Sequence, residues 1–258
     1  MAITASTPTK TTKDYEFGLP WPTLISGLLI LATIFGTYRW YMHTYAFEVG
    51  MDYFEPIFQT YWMNLLWAQI TFLAVAFIGG LYFVWTTREK DVLNISPQLE
   101  LQRYMLVFGF ISVVAMVIVM AISTFAESDA AWHQVSIRDT DFTPTHIILF
   151  YFCVPTMIVG IALALVWVHT RLPDYHNRVS VPLIIMFTGP LMVMPNVGFN
   201  EWGHTFFYAE ELFAAPIHYG FVVLLWGFFA LSGFILQCLA RIKILTSLKD
   251  TSKNTQTV

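Results

Sequence analysis

Residues 145–169 read T-H-I-I-L-F-Y-F-C-V-P-T-M-I-V-G-I-A-L-A-L-V-W-V-H, with no Asp, Glu, Lys or Arg among them. That run exceeds the roughly 20 apolar residues a helix needs to cross a bilayer. Comparable runs lie near 22–44, 62–87, 104–126, 181–199 and 216–240. The chain is 57% hydrophobic and only 12% charged, about half the charge content of soluble proteins. The reading is all-α: a polytopic transmembrane helix bundle of about six spans. The transmembrane helical domain covers 21–243. A disordered cytoplasmic tail precedes it at 1–20, and a second cytoplasmic tail follows at 244–258.

Residues 1–14 are polar and rich in Thr and Ser, with Lys10 and Lys13. They lack an apolar core and a cleavage signal, so they read as a tail and not a signal peptide. The stretch after Leu248 reads the same way. The fifth span is the least regular, because Pro182, Gly189, Pro190 and Pro195 interrupt it. A broken helix at membrane depth is tolerated only where protein or a cavity covers it.

Six spans place both termini on one side. With that side cytoplasmic, it holds Lys10, Lys13, Arg88, Lys90, Arg103, Arg171, Arg178, Arg241, Lys243, Lys249 and Lys253. Only Arg39 and Arg138 fall outside, a pronounced positive-inside bias. The expected location is therefore a bacterial inner or intracytoplasmic membrane, with the links after spans three and five facing the periplasm. Those links and the 48–55 link are rich in acid, which attracts cations. The net charge of −4 and the lack of a basic stripe exclude a nucleic-acid partner. Cys153 and Cys238 lie inside apolar runs and read as reduced packing residues.

Two outer stretches share one pattern. Residues 129–146 read D-A-A-W-H-Q-V-S-I-R-D-T-D-F-T-P-T-H, and 200–218 read N-E-W-G-H-T-F-F-Y-A-E-E-L-F-A-A-P-I-H. Each has an oxygen donor, a His four residues on, and a second His two residues after a Pro. The sets are Asp129, His133, His146 and Asn200, His204, His218, offset by 71, 71 and 72 residues. This is the pattern of a diverged internal repeat.

An i, i+4 pair lies on one helix face with Cβ atoms about 6 Å apart. Pro favours a first helical turn, so each late His belongs at the mouth of the next span. Asp129, His133 and His146 form a 2-His-1-carboxylate set that suits Fe(II), Zn(II) or Cu and leaves positions open. Asn200, His204 and His218 form a weaker set, because an amide oxygen is a poor donor. The competing reading is a capping Asn with hydrogen-bonded interfacial histidines. His43 sits in an aromatic belt, and His169 and His176 read as interfacial. The eleven Met residues read as core filler rather than a copper relay. No phosphate loop, nucleophile triad or haem motif is present.

These residues carry a resemblance. The chain resembles the C subunits of the copper-containing membrane monooxygenases, the family of particulate methane monooxygenase and ammonia monooxygenase. The matching segments are W-H-Q-V-S-I-R-D-T-D-F-T-P-T-H at 132–146, T-R-L-P at 170–173, G-P-L-M-V-M-P-N-V-G-F-N-E-W-G-H at 189–204 and E-E-L-F-A-A-P-I-H-Y-G-F at 210–221. M-D-Y-F-E-P near 51 and Y-W-M near 61 extend the similarity over almost the whole chain.

The resemblance implies a helical subunit beside the A and B subunits of the monooxygenase, in a trimer of heterotrimers embedded in lipid. It implies copper and dioxygen chemistry on methane, ammonia or short hydrocarbons, with a quinol as reductant. The family's catalytic Asp-His-His copper ligands fall on Asp129, His133 and His146. A second Asn-His-His copper site falls on Asn200, His204 and His218. At Phe125-Ala126-Glu127-Ser128-Asp129 the chain departs from the F-T-E-Q-D of many members but keeps the Asp. The competing class is a non-catalytic membrane protein that holds or passes copper while a partner does the chemistry. A transporter needs charges deep in the spans, and almost none are there. Integral-membrane iron hydroxylases need more paired histidines.

Overall fold

The computed structural model describes residues 21–121, 142–192 and 210–255. Helix α1 is Trp21–Val49, α2 is Pro56–Thr86, α3 is Pro97–Ala121 and α4 is Pro144–Arg171. A short turn α5, Pro173–His176, precedes α6, Val181–Met192, and α7 is Glu210–Thr255. No strand occurs among the described residues. Helices α1, α2, α3, α4 and α7 are each long and apolar enough to cross a membrane. The protein is an all-α, multi-pass membrane bundle. The expected fifth span is described only as the twelve helical residues of α6; its continuation beyond Met192 lies outside the described residues.

Helix starts follow local chemistry. Ser96 precedes Pro97, accepts the Leu99 N–H on its hydroxyl (3.2 Å) and the Glu100 N–H on its carbonyl (3.0 Å). A Ser cap followed by Pro is a preferred way to begin a helix. It starts α3 seven residues before the expected span at 104.

Two expectations need correction. Gly189 and Pro190 do not break α6, which is helical to Met192. Pro190 has no N–H to give Met186. That stretch is covered by α7, since a Cβ on Gly227 would lie 3.9 Å from both the Met186 carbonyl and the Gly189 Cα. A Cβ on Gly233 would lie 3.5 Å from Pro182, so the two helices run antiparallel in close contact. Small residues permit such a crossing. Second, α7 runs on through Leu248 to Thr255, into the stretch read as a disordered tail. No Gly or Pro follows Gly233 to stop it, and Lys249 and Lys253 complement the helix C-terminus.

Helix α1 packs on α3, α2 on α4, and α3 on α7, with the start of α4 wedged against α1 and α2. Two cores result. One gathers Phe35, Met42, Phe58, Trp62, Leu66 and Ile147; the other gathers Tyr104, Val168, Tyr175, Leu183, Phe234 and Cys238. Both cysteines are free, as expected.

The second core is capped by a polar network. Arg103 pairs with Glu89 at 2.7 Å and donates to the Arg171 carbonyl at 2.6 Å. Arg103 holds the Glu89 carboxyl below its usual range through that hydrogen bond. Arg171 is buried and donates to the Val84 carbonyl and to the hydroxyls of Thr87 and Thr170. Arg241 grips the buried Glu100 with two bonds of 2.8 and 3.0 Å, with Asp174 3.7 Å away. His169 joins the same layer. Its Nε2 accepts the Ser180 N–H, so Nδ1 carries the proton toward the Leu165 carbonyl. Arg103, Arg171 and Arg241, three of the cations expected on the cytoplasmic side, are thus gathered at one end of the bundle.

Candidate metal centre

The other end of α4 holds His146. About 40 Å of helix separates Pro144 from Arg171, at 1.5 Å per residue over 28 residues. Thr143 is the N-cap, extended at φ −71° and ψ 156°, and its hydroxyl accepts the His146 N–H at 3.2 Å. Pro144 takes the first helical position and Ile147 N–H reaches the Thr143 carbonyl at 2.9 Å. His146 therefore lies in the first turn of its helix, as the Pro spacing predicts. It is 2% exposed, between Thr145 and Ile147, which are fully buried, and its ring centre is 5.0 Å from that of Phe150.

Rigid surroundings fix that turn. Trp62 is fully buried and Tyr41 packs on it edge-on at 5.2 Å; Tyr45 and Tyr61 extend the cluster. Tyr41 donates to the Tyr61 carbonyl at 2.9 Å. Two π-helical turns meet here, Gln59–Met63 in α2 and Leu149–Cys153 in α4. The second ends two residues before Pro155. Widening the turn relieves the clash of the Pro ring with the carbonyl four residues back. Such π-turns are frequent at functional sites.

Gly50 closes the α1–α2 link onto this turn. A Cβ there would lie 2.7 Å from Pro144 Cγ, 2.9 Å from Trp62 Nε1 and 2.6 Å from the Ala46 carbonyl. The contact also brings Glu48, Asp52 and Glu55 to the His146 end. The substitution Gly50→Ala is expected to destabilise the protein by about 1–3 kcal/mol through overpacking. Gly79→Ala is expected to be neutral by comparison, because nothing lies within 4 Å of its Cβ. Thermal denaturation of the two variants checks this; equal melting temperatures would contradict the wedge.

The other five members of the two sets are described in part or not at all. Asp129, His133, Asn200 and His204 lie outside the described residues. Of His218 only the backbone position is described. It is the ninth residue of α7, so Pro216 and His218 sit about two turns inside the helix and not at its mouth. Glu210, Glu211, Leu212, Ala214 and Ala215 are sound helix formers, which carry the helix back past the Pro. Among the described residues no three His, Cys, Asp or Glu side chains come together as a metal site.

The donor chemistry of the first set still fits a transition metal. One carboxylate and two imidazoles form an N/O set with open positions. Its described member, His146, is held by a cap, a Pro and a packed wall, which suits an oriented ligand. A cavity of about 460 Å³ lies farther along α4, between α3, α4, α6 and α7. It is lined by apolar and aromatic side chains and glycines, among them Phe110, Met157, Gly160 and Leu231.

Sequence reasoning counted Glu100, Arg103, Arg171 and Arg241 at most as topology markers. Their partners are up to 141 residues away, and no local signal announces them.

The family of ammonia monooxygenase/methane monooxygenase C subunits (AmoC) matches residues 5–249. That range contains all six residues of the two sets. No curated protein matches the chain.

Proposed function

The chain belongs to the family of ammonia monooxygenase/methane monooxygenase C subunits, and from that premise we propose that it carries copper for a monooxygenase acting with dioxygen on a small substrate. It is a membrane subunit of that oxidoreductase family. The proposal adds that Asp129, His133 and His146 are the catalytic copper ligands. Bound copper would supply the redox chemistry that activates dioxygen, with electrons from a quinol. Asn200, His204 and His218 hold a second, looser copper.

The observation that carries this reading is the placement of His146. A buried imidazole in a capped first turn, just before a π-turn and beside Phe150, supports the reading of an oriented ligand over that of an interfacial side chain. Thr143 and Pro144 set the backbone of the ligand. The imidazole is 2% exposed and packs beside Phe150, which keeps water from it. Acidic residues at the same end draw cations toward it. The apolar cavity along α4 is large enough for a short alkane, while ammonia and methane also remain within the reading. We place both termini in the cytoplasm and the His146 end toward the periplasm. The complex is a trimer of heterotrimers with the A and B subunits of the monooxygenase, surrounded by membrane lipid.

The test is a membrane assay of the assembled complex with ammonia, methane and butane, in wild type and in His146→Ala. Loss of turnover on the accepted substrate, with partner subunits and their copper retained, is the expected result. Full turnover in that variant would assign the chemistry to a partner and leave this chain in a supporting role.

A further inference from the structure

Helices α2 and α4 run parallel. Gly50 brings Trp62 beside Pro144, and a Cβ on Gly80 would lie 2.7 Å from Leu163 Cδ1. At the far end Arg171 donates to the Val84 carbonyl. Eleven residues before the Gly80–Leu163 contact stand Gln69 on α2 and Phe152 on α4. Tyr38 of α1 touches both. Its hydroxyl accepts from Gln69 Nε2 at 3.0 Å, and its ring lies 4.8 Å from that of Phe152. Three helices therefore meet at this level, between the His146 turn and the arginine layer.

Thr156 belongs to the same junction. It stands four residues after Phe152 and seven before Leu163, positions that share one helix face. A helical side chain leans back over the turn N-terminal to its own Cα. The Thr156 hydroxyl is thus carried toward the level of Phe152 and Gln69. Thr33, Thr37, Thr44, Thr71, Thr170 and Thr246 each turn the hydroxyl onto the carbonyl four residues back, a common arrangement for Thr inside a helix. Thr156 departs from it: its hydroxyl oxygen is buried and has no hydrogen-bond partner among the described residues.

Gln69 presents a second such atom. The residue is 3% exposed, and its Oε1 has no partner among the described residues either. Tyr38 accepts from Gln69 and keeps its own proton to give. Neither lipid hydrocarbon nor bulk water can serve buried atoms at this depth, and leaving them unpaired is strongly unfavourable. All three groups are neutral, so the junction selects a neutral guest and not an ion. The guest must accept one proton, from Tyr38, and donate two, to Gln69 Oε1 and Thr156 Oγ1. A hydrocarbon can do neither. A buried water typically makes about three hydrogen bonds and matches the set.

We propose that Tyr38, Gln69 and Thr156 form a binding site for one water molecule in the apolar interior of the bundle. The water ties the wide turn Leu149–Cys153 of α4 to α1 and α2. The backbone there is short of a donor, since Pro155 has no N–H to give. The site stands apart from His146, ten residues or about 15 Å away along α4, and does not depend on what His146 binds.

The experiment is a density map of the intact complex in lipid, at a resolution that shows ordered water, for the wild type and for Thr156→Val. The expected result is a peak within about 3.2 Å of Tyr38 Oη, Gln69 Oε1 and Thr156 Oγ1, lost in the variant. A wild-type map with no such peak, and with the Thr156 hydroxyl on the Phe152 carbonyl or directly on Gln69, overturns the proposal. A peak that persists unchanged in Thr156→Val overturns it as well. Thermal melting of the same complex gives a second reading. Thr156→Val and Gln69→Met are each expected to lower the midpoint by about 2–4 °C, because each strands the other end of the bridge. The double variant should fall by less than the sum, the mark of a shared partner. Thr188→Val, whose hydroxyl bonds its own helix, should change it little. Strictly additive shifts overturn the shared water. The wild-type map alone decides the case if a variant fails to assemble.

Discussion

Asp129→Ala is expected to empty the copper site proposed at Asp129, His133 and His146. The set Asp129, His133, His146 contains a single anionic ligand, and the two imidazoles left behind would hold a divalent ion poorly. Loss of outer-shell partners alone commonly lowers metal affinity about 10–100-fold, so removal of an inner ligand should exceed about 100-fold. Turnover should fall with it, while the complex stays assembled and partner copper is unchanged. Affinity in the wild type should also fall as the pH drops and the histidines protonate, because ligands bind deprotonated. The second set, with a neutral Asn200 in place of Asp129, should lose its metal first under mild chelation. Metal analysis of the purified variant decides the matter: wild-type copper content in Asp129→Ala would refute the assignment.

Arg241→Met should be the most damaging single change to stability. It leaves Glu100, which is 3% exposed, without the guanidinium that now bonds both its oxygens. Stranding a buried carboxylate in this way costs about 3–5 kcal/mol. Glu100→Gln should cost less, because an amide can still accept from Arg241 and Arg241 keeps Asp174 at 3.7 Å. Unfolding of the two variants in detergent should preserve that order. Equal destabilisation would mean that the pair acts only through packing. The change should leave the His146 end intact, since Glu100 and Arg241 lie in the layer at the far end of the bundle.

Much of the fold was legible because a bilayer imposes simple demands. Five spans were recovered from apolar run length alone, and the reading of His146 as a first-turn residue followed from Pro144. The start of α3 was also present in the sequence as Ser96-Pro97, but the apolar criterion passes over it because Pro97–Arg103 is partly polar. Expectations failed where a breaker was judged by residue type alone. Pro190 and Pro216 both lie within helices, the first against a glycine-lined crossing with α7 and the second behind a run of strong helix formers.

By itself the sequence determined the class of the molecule and its candidate ligands. Composition, apolar run length and the spacing of Asp, Asn, His and Pro act locally along the chain, and a membrane leaves helices as the economical answer to them. Only the tertiary structure decided which groups face one another. Arg241 meets Glu100 across 141 residues, and Gly50 admits Pro144 beside Trp62. Those outcomes depend on how helices rotate and cross. Rotation and crossing are set by the joint packing of many side chains, which no single segment encodes.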